Sequence, residues 1–182
     1  WCGLAVQAYQ KRALAVIEWL IALGSECHLR IPVRLVKGAY WDTEIKRAQV
    51  QGLHAYPVFT RKAHTDVSYL ACAQRMLGSA GSDGALFPMF ATHNAHTAAA
   101  IIERALQIRL PQDAFEFQRL HGMGETLYDE IVPADKLGIA CRIYAPVGSH
   151  QELLPYLVRR LLENGANTSF VNRIGDASVP ID

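Results

Sequence analysis

The chain has 182 residues, of which 51% are hydrophobic and 19% charged, and its 18 Lys and Arg against 17 Asp and Glu leave a net charge of +1. A chain this apolar and weakly charged buries enough surface to offset the entropy of ordering, which excludes disordered, collagen-like and coiled-coil classes. A near-neutral balance offers no basic face to nucleic acid, and the most apolar helical run, Ala13 to Leu23 with Glu18 in its middle, is too short to cross a bilayer.

Short apolar runs then alternate with helical patterns. Gly3–Ala8 reads as a buried strand, Gln10–Leu23 as a helix and Ile31–Gly38 as a second strand. Helical patterns at Asp42–Gln51 and Asp66–Leu77 are separated by the Tyr56-Pro57 breaker. A strand over Leu86–Ala91 precedes a helix over Thr97–Arg109, and a strand over Ala114–Leu120 precedes a helix near Thr126–Lys136. The last pair is a strand over Ile139–Ala145 and a helix over Gln151–Asn164 ended by Gly165.

This alternation predicts an α/β fold with a parallel sheet and helices outside it. A doubly wound sheet and a piece of a (β/α)8 barrel both fit, and the polar residues inside the strands favour the barrel. Arg34 shares a strand face with Val36 and Gly38, Glu116 with Gln118 and Leu120, and Arg142 with Tyr144. A lumen that takes a polar ligand at its C-terminal mouth accounts for all of them, and places Glu116 and Arg142 as an internal pair. Five units make the C-terminal portion of a barrel, about three strands short of closure. The start at Trp1-Cys2-Gly3, without Met or signal peptide, fits a piece of a longer polypeptide. The cysteines, Cys2, Cys27, Cys72 and Cys141, form no Cys-x-x-Cys pair and are expected as buried small hydrophobes in a reducing compartment.

Four segments carry candidate chemistry. Arg34-Leu35-Val36-Lys37-Gly38-Ala39-Tyr40-Trp41 puts a cation in an apolar strand, where it needs an anion, an electron-rich cofactor or an internal ion pair, and Gly38 and Ala39 permit close approach of a ligand. Thr92-His93-Asn94-Ala95-His96 opens a helix, either as an anion site or simply as a cap formed by Asn94 or Thr97. His121-Gly122-Met123-Gly124-Glu125 lacks the dinucleotide fingerprint and reads as a tight turn or an active-site loop. Tyr156, Arg159, Arg160 and Glu163 form one helical stripe, either a solvated face or a clamp for a carboxylate.

With these motifs assembled, the sequence resembles the proline dehydrogenase domain of bifunctional proline utilization A flavoenzymes. The resemblance runs from LAVQAY (4–9) through RLVKGAYWD (34–42), ATHNAH (91–96), FQRLHGMGE (117–125) and CRIYAPVG (141–148) to YLVRRLLENGANTSFVNR (156–173). It implies a distorted (β/α)8 barrel holding FAD, which takes a hydride from L-proline to give Δ1-pyrroline-5-carboxylate, with membrane quinone as the onward acceptor. Gln7, Arg34, Val36, Gly38, Ala39 and Trp41 are thereby expected beside the isoalloxazine and ribityl groups. Thr60, Arg61, Lys62, Thr92, His93 and Asn94 are expected at the phosphates and adenosine, Gln118 and Leu120 beside flavin and substrate, and Glu163 as a further cofactor contact. Arg159 and Arg160 would clamp the proline carboxylate while Tyr40, Tyr144, Tyr156 and Leu120 pack the ring. Arg119 departs from the family motif and is expected to face away from the lumen.

The same resemblance makes 1–171 a partial proline dehydrogenase barrel and 172–182 an exit towards an aldehyde dehydrogenase module, in a cytoplasmic parent that associates peripherally with the inner membrane. It also implies that the clamp Lys and a flavin-side Asp belong to N-terminal barrel units outside this chain. A metal-dependent barrel hydrolase of a small anionic substrate, using His93, His96 and His121, is the alternative drawn from the residues alone.

Overall fold

The computed structural model describes the backbone of residues 2–166 and the side chains of residues 2–160. Five strands form one parallel sheet in the order of the sequence: β1 (Leu4–Gln7), β2 (Ile31–Val36), β3 (Leu86–Ala91), β4 (Glu116–Leu120) and β5 (Cys141–Tyr144). A doubly wound sheet reverses its strand order midway. Here no reversal occurs, which decides for consecutive units of a β/α barrel.

Helices α1 (Ala13–Cys27), α2 (Trp41–Val50), α3 (Lys62–Leu77), α4 (Ala95–Gln107), α5 (Glu125–Asp129) and α6 (His150–Ala166) fill the connections. Ala13, Ile17, Leu20 and Gly24 recur at helical spacing on the buried face of α1, and Tyr69, Cys72, Ala73, Met76 and Leu77 do the same on α3. They cover one side of the sheet, where Val33, Leu35, Leu86, Phe90, Phe115 and Phe117 point, all but free of solvent. Phe90, Phe115, Phe117 and Tyr128 extend this core as rings with centroids 5.8–6.2 Å apart. Strand alternation sends Gln7, Arg34, Val36, Met89, Glu116, Gln118, Arg142 and Tyr144 to the opposite, lumen side.

Three expectations need correction. The helix near Thr126–Lys136 is only the five residues of α5, because Pro133 cannot continue it and the chain to Gly138 runs through turns closed by Lys136 N–H and Gly138 N–H on the Pro133 carbonyl. The last helix is not ended by Gly165 but continues to Ala166. Of the cysteines only Cys72 is buried; Cys141 is half-buried and Cys2 and Cys27 are exposed. Burial pushes the Cys72 thiol up, and the Cys141 thiol up to about 11, so both stay protonated.

Candidate active site

The C-terminal ends of the strands gather the aromatic and cationic residues of the sequence motifs. Arg34, near the end of β2, lies over the ring of Tyr144 at the end of β5, with 4.6 Å from guanidinium carbon to centroid. Tyr40, in the turn after β2, receives Arg159 at 5.3 Å and Arg160 at 5.9 Å, and Arg160 also lies 5.0 Å from Tyr156 on its own helix. The contacts draw α6 towards the end of β2 and the end of β5 together. Arg159, Arg160, Tyr40, Tyr144 and Tyr156 thus form one cluster, and Leu120 reaches it through its register with Tyr144. Burial pushes the Tyr156 phenol up, and its contact with Tyr144 adds to that, outweighing Arg160 and Arg34; the hydroxyl remains a donor.

Two of the cations are prepared for a ligand. The Nε atoms of Arg34 and Arg159 are buried and have no hydrogen-bond partner among the described residues, and neither guanidinium forms an ion pair there. A buried, unsatisfied guanidinium N–H is costly. The internal ion pair considered for Arg34 is therefore replaced by ring stacking, and an electron-rich or anionic group fits the remaining donors.

The lumen row beneath the cluster is set by register. Gln7 lies opposite Val36, Ala91 opposite Gln118, and Gln118 opposite Arg142. Arg142 grips Glu116 with both forks, Nε to Oε1 at 2.8 Å and Nη2 to Oε2 at 2.9 Å. This is the pairing expected from strand parity. Burial alone pushes the Glu116 carboxyl up, but hydrogen bonds from Arg142 and Gln118 and the Arg142 charge hold it below the ordinary carboxylate range.

Other motif residues serve the scaffold of the mouth. Gly38 has φ +121°, and a Cβ there would stand 2.6 Å from the Tyr9 ring, so Tyr9 by itself already requires a glycine here. Ala39 follows it, half-buried. Trp41 donates its indole N–H to the Phe59 carbonyl at 2.8 Å, tying α2 to the loop before α3. In that loop Thr60 and Arg61 are exposed, while Lys62 pairs with Asp66 at 3.2 Å, and Asp66 also holds Lys37.

At the end of β3, Asn94 is the cap of α4, its Oδ1 accepting from Thr97 N–H at 2.9 Å. The Thr92 hydroxyl accepts from Asn94 N–H at 3.1 Å, and Thr92 is buried. His93 Nε2 accepts the Leu120 N–H at 3.0 Å, joining the ends of β3 and β4. That nitrogen's lone pair is spent, and no group of three metal-ligating side chains occurs among the described residues, so nothing there supports the metal-dependent alternative. The 121–124 segment is a turn, with φ +77° at Gly122 and +69° at Gly124, held from the outer side by Arg119, which donates to the Met123 carbonyl at 3.2 Å. Glu163 lies outside the described side chains.

Three residues that sequence reasoning passed over support these positions. The Tyr69 hydroxyl donates to the Ala91 carbonyl at 3.2 Å, the Tyr128 hydroxyl donates to the Thr92 carbonyl at 2.9 Å, and Tyr9 packs under Gly38. Each reads in sequence as an ordinary core aromatic; only the buried hydroxyls, which must find acceptors, set Tyr69 and Tyr128 apart.

Comparison with known proteins gives the family and the fold. The family model described as proline dehydrogenase matches residues 1–173. The bifunctional protein PutA of Salmonella typhimurium is 60% identical over 99% of this chain, which spans 14% of that relative's length. Among solved structures, a mutant of proline utilization A from Bradyrhizobium japonicum has a TM-score of 0.81 and 59% identity, covering 98% of this chain and 18% of its own. Proline utilization A from Bdellovibrio bacteriovorus inactivated by N-propargylglycine has a TM-score of 0.82 and 40% identity over 92% of this chain and 17% of its own. The hydrolase alternative finds no support in these likenesses.

Proposed function

Because the chain belongs to the proline dehydrogenase family, we propose that it forms part of a barrel that oxidises L-proline to Δ1-pyrroline-5-carboxylate with FAD as cofactor. The family is one of flavin-dependent oxidoreductases. The observation that carries the reading is the cluster at the strand ends, in which Arg34 and Arg159 keep buried N–H groups without partners among the described residues, beside Tyr40, Tyr144 and Tyr156. These residues fit a flavin and an amino acid carboxylate.

When bound, FAD supplies the two-electron acceptor for the hydride that leaves proline. Arg159 and Arg160 bind the substrate carboxylate and so fix which carbon faces the acceptor. Tyr40, Tyr144, Tyr156 and Leu120 enclose the ring and exclude water. Gln7, Arg34, Val36, Gly38, Ala39 and Trp41 would stand beside the flavin ring and its ribityl chain, Gln118 and Leu120 beside flavin and substrate, and Glu163 would be a further cofactor contact; the Arg34 cation would favour the negative charge of the reduced cofactor. Thr60, Arg61, Lys62, Thr92, His93 and Asn94 serve the phosphates and adenosine near two helix starts.

Residues 1–171 would belong to this barrel and 172–182 lead towards a further module, in keeping with relatives that are bifunctional and much longer. The onward acceptor is a membrane quinone, reached by peripheral association of the parent from the cytoplasm. No helix among the described residues is long and apolar enough to cross a membrane. The test is the visible spectrum of the purified intact polypeptide. A flavin band that bleaches when L-proline is added without oxygen supports the reading; a colourless protein holding stoichiometric zinc overturns it.

A further inference from the structure

We propose that Glu116 and Arg142 are positioning residues that act through Gln118, fixing its amide so that the carbonyl oxygen, and not the NH2, is offered to the ligand in the lumen. The inference rests on the flavin reading above. A glutamine amide has two orientations related by a half-turn about its last bond, and only its neighbours choose between them.

At Gln118 two neighbours make the same choice. Nε2 donates to Glu116 Oε1 at 2.8 Å and lies 3.2 Å from Met89 Sδ. An ionised carboxylate has no proton to give, and a thioether can only accept. Turning the amide over would set its oxygen against both. Gln118 Oε1 is thus directed away from them, and it makes no hydrogen bond among the described residues. It is an acceptor waiting for an N–H or O–H.

Arg142 keeps the choice in force. Its side chain is 62% exposed while that of Glu116 is 7% exposed, so the carboxylate is buried and the cation reaches in from the rim with two hydrogen bonds. Without the guanidinium the buried carboxyl takes up a proton more readily, can then donate, and no longer forbids the reversed amide. An oxidised isoalloxazine bears one imide N–H, and its ribityl chain bears hydroxyls. A fixed carbonyl on the lumen row selects such a ligand, whereas a flipped amide would oppose it.

The experiment is a double-mutant cycle on FAD affinity, read by quenching of flavin fluorescence in the intact polypeptide, with melting temperature followed in parallel. Glu116→Leu, which removes the acceptor altogether, should raise the FAD dissociation constant about tenfold where Gln118 is present, the size of one hydrogen bond, and less than about twofold in a Gln118→Leu background. If Glu116→Leu does not fold, Arg142→Met is used in the same cycle, with the same sign and a smaller ratio expected. Equal weakening in both backgrounds marks a merely structural pair and overturns the proposal, as does no weakening. Failure of the unsubstituted protein to bind flavin overturns the functional reading itself and this inference with it.

Discussion

Arg159 and Arg160 leave one turn of α6 for the same tyrosine, Tyr40, which makes them a pair in space as well as in sequence. Replacing Arg160 with Met should raise the KM for proline by roughly 10- to 150-fold, the worth of a charged hydrogen bond, with bound FAD near stoichiometric. Steady-state kinetics beside a flavin count checks this; an unchanged KM with lost flavin would move Arg160 from substrate to cofactor. Gly38 carries a different expectation. With φ +121° and the Tyr9 ring 2.6 Å from a would-be Cβ, Gly38→Ala should destabilise by about 1–3 kcal/mol in denaturant unfolding. Adding Tyr9→Leu should recover the steric part and leave the backbone part. Cation and aromatic were legible in RLVKGAYW, but the packing of a ring against its glycine was not, because Tyr9 comes to it from another strand end. Likewise the histidine of THNAH announces a ligand in sequence, and only the position of the Leu120 N–H shows where its Nε2 is used.

Strands β1 to β5 were readable because each is a short, largely apolar run between helical patterns, and on β2 and β3 the buried, helix-facing side repeats at every second residue. Element α5 was not read at its true length, since Leu127, Tyr128 and Ile131 stand at helical spacing up to the point where Pro133 stops the hydrogen-bond ladder. The pair joining β4 and β5 gives a prediction at this scale. Glu116 is buried and Arg142 largely exposed, so the two single substitutions are unequal. Arg142→Ala strands a buried carboxylate and should cost about 1–3 kcal/mol at neutral pH, while Glu116→Ala leaves a solvated cation and should cost less. Because the folded carboxyl titrates below its ordinary value, this stabilisation is full above the unfolded pKa of about 4.3 and disappears as pH falls through the folded one. The difference between wild type and Arg142→Ala, measured by urea unfolding, should therefore shrink below about pH 4; a difference that persists there would mean that the arginine acts through packing.

At the level of the molecule, among the described residues β1 and β5 each have a single strand neighbour, so the sheet presents two edges where a closed barrel has none. The lumen row is then open on two sides, and the 182-residue chain alone should bind FAD more weakly than the intact polypeptide. Parallel FAD titrations test this, and equal affinity would show that five units make the whole cofactor site. Barrel rather than doubly wound sheet was legible only through the charges of Arg34, Glu116 and Arg142, because the strand–helix alternation is common to both. The unreversed strand order also bears on synthesis. Each strand here finds its partner in the unit made just before it, so the chain can be laid down from its N-terminus as it leaves the ribosome, one unit at a time. A doubly wound sheet must instead hold its first strand half-paired until the fourth is made.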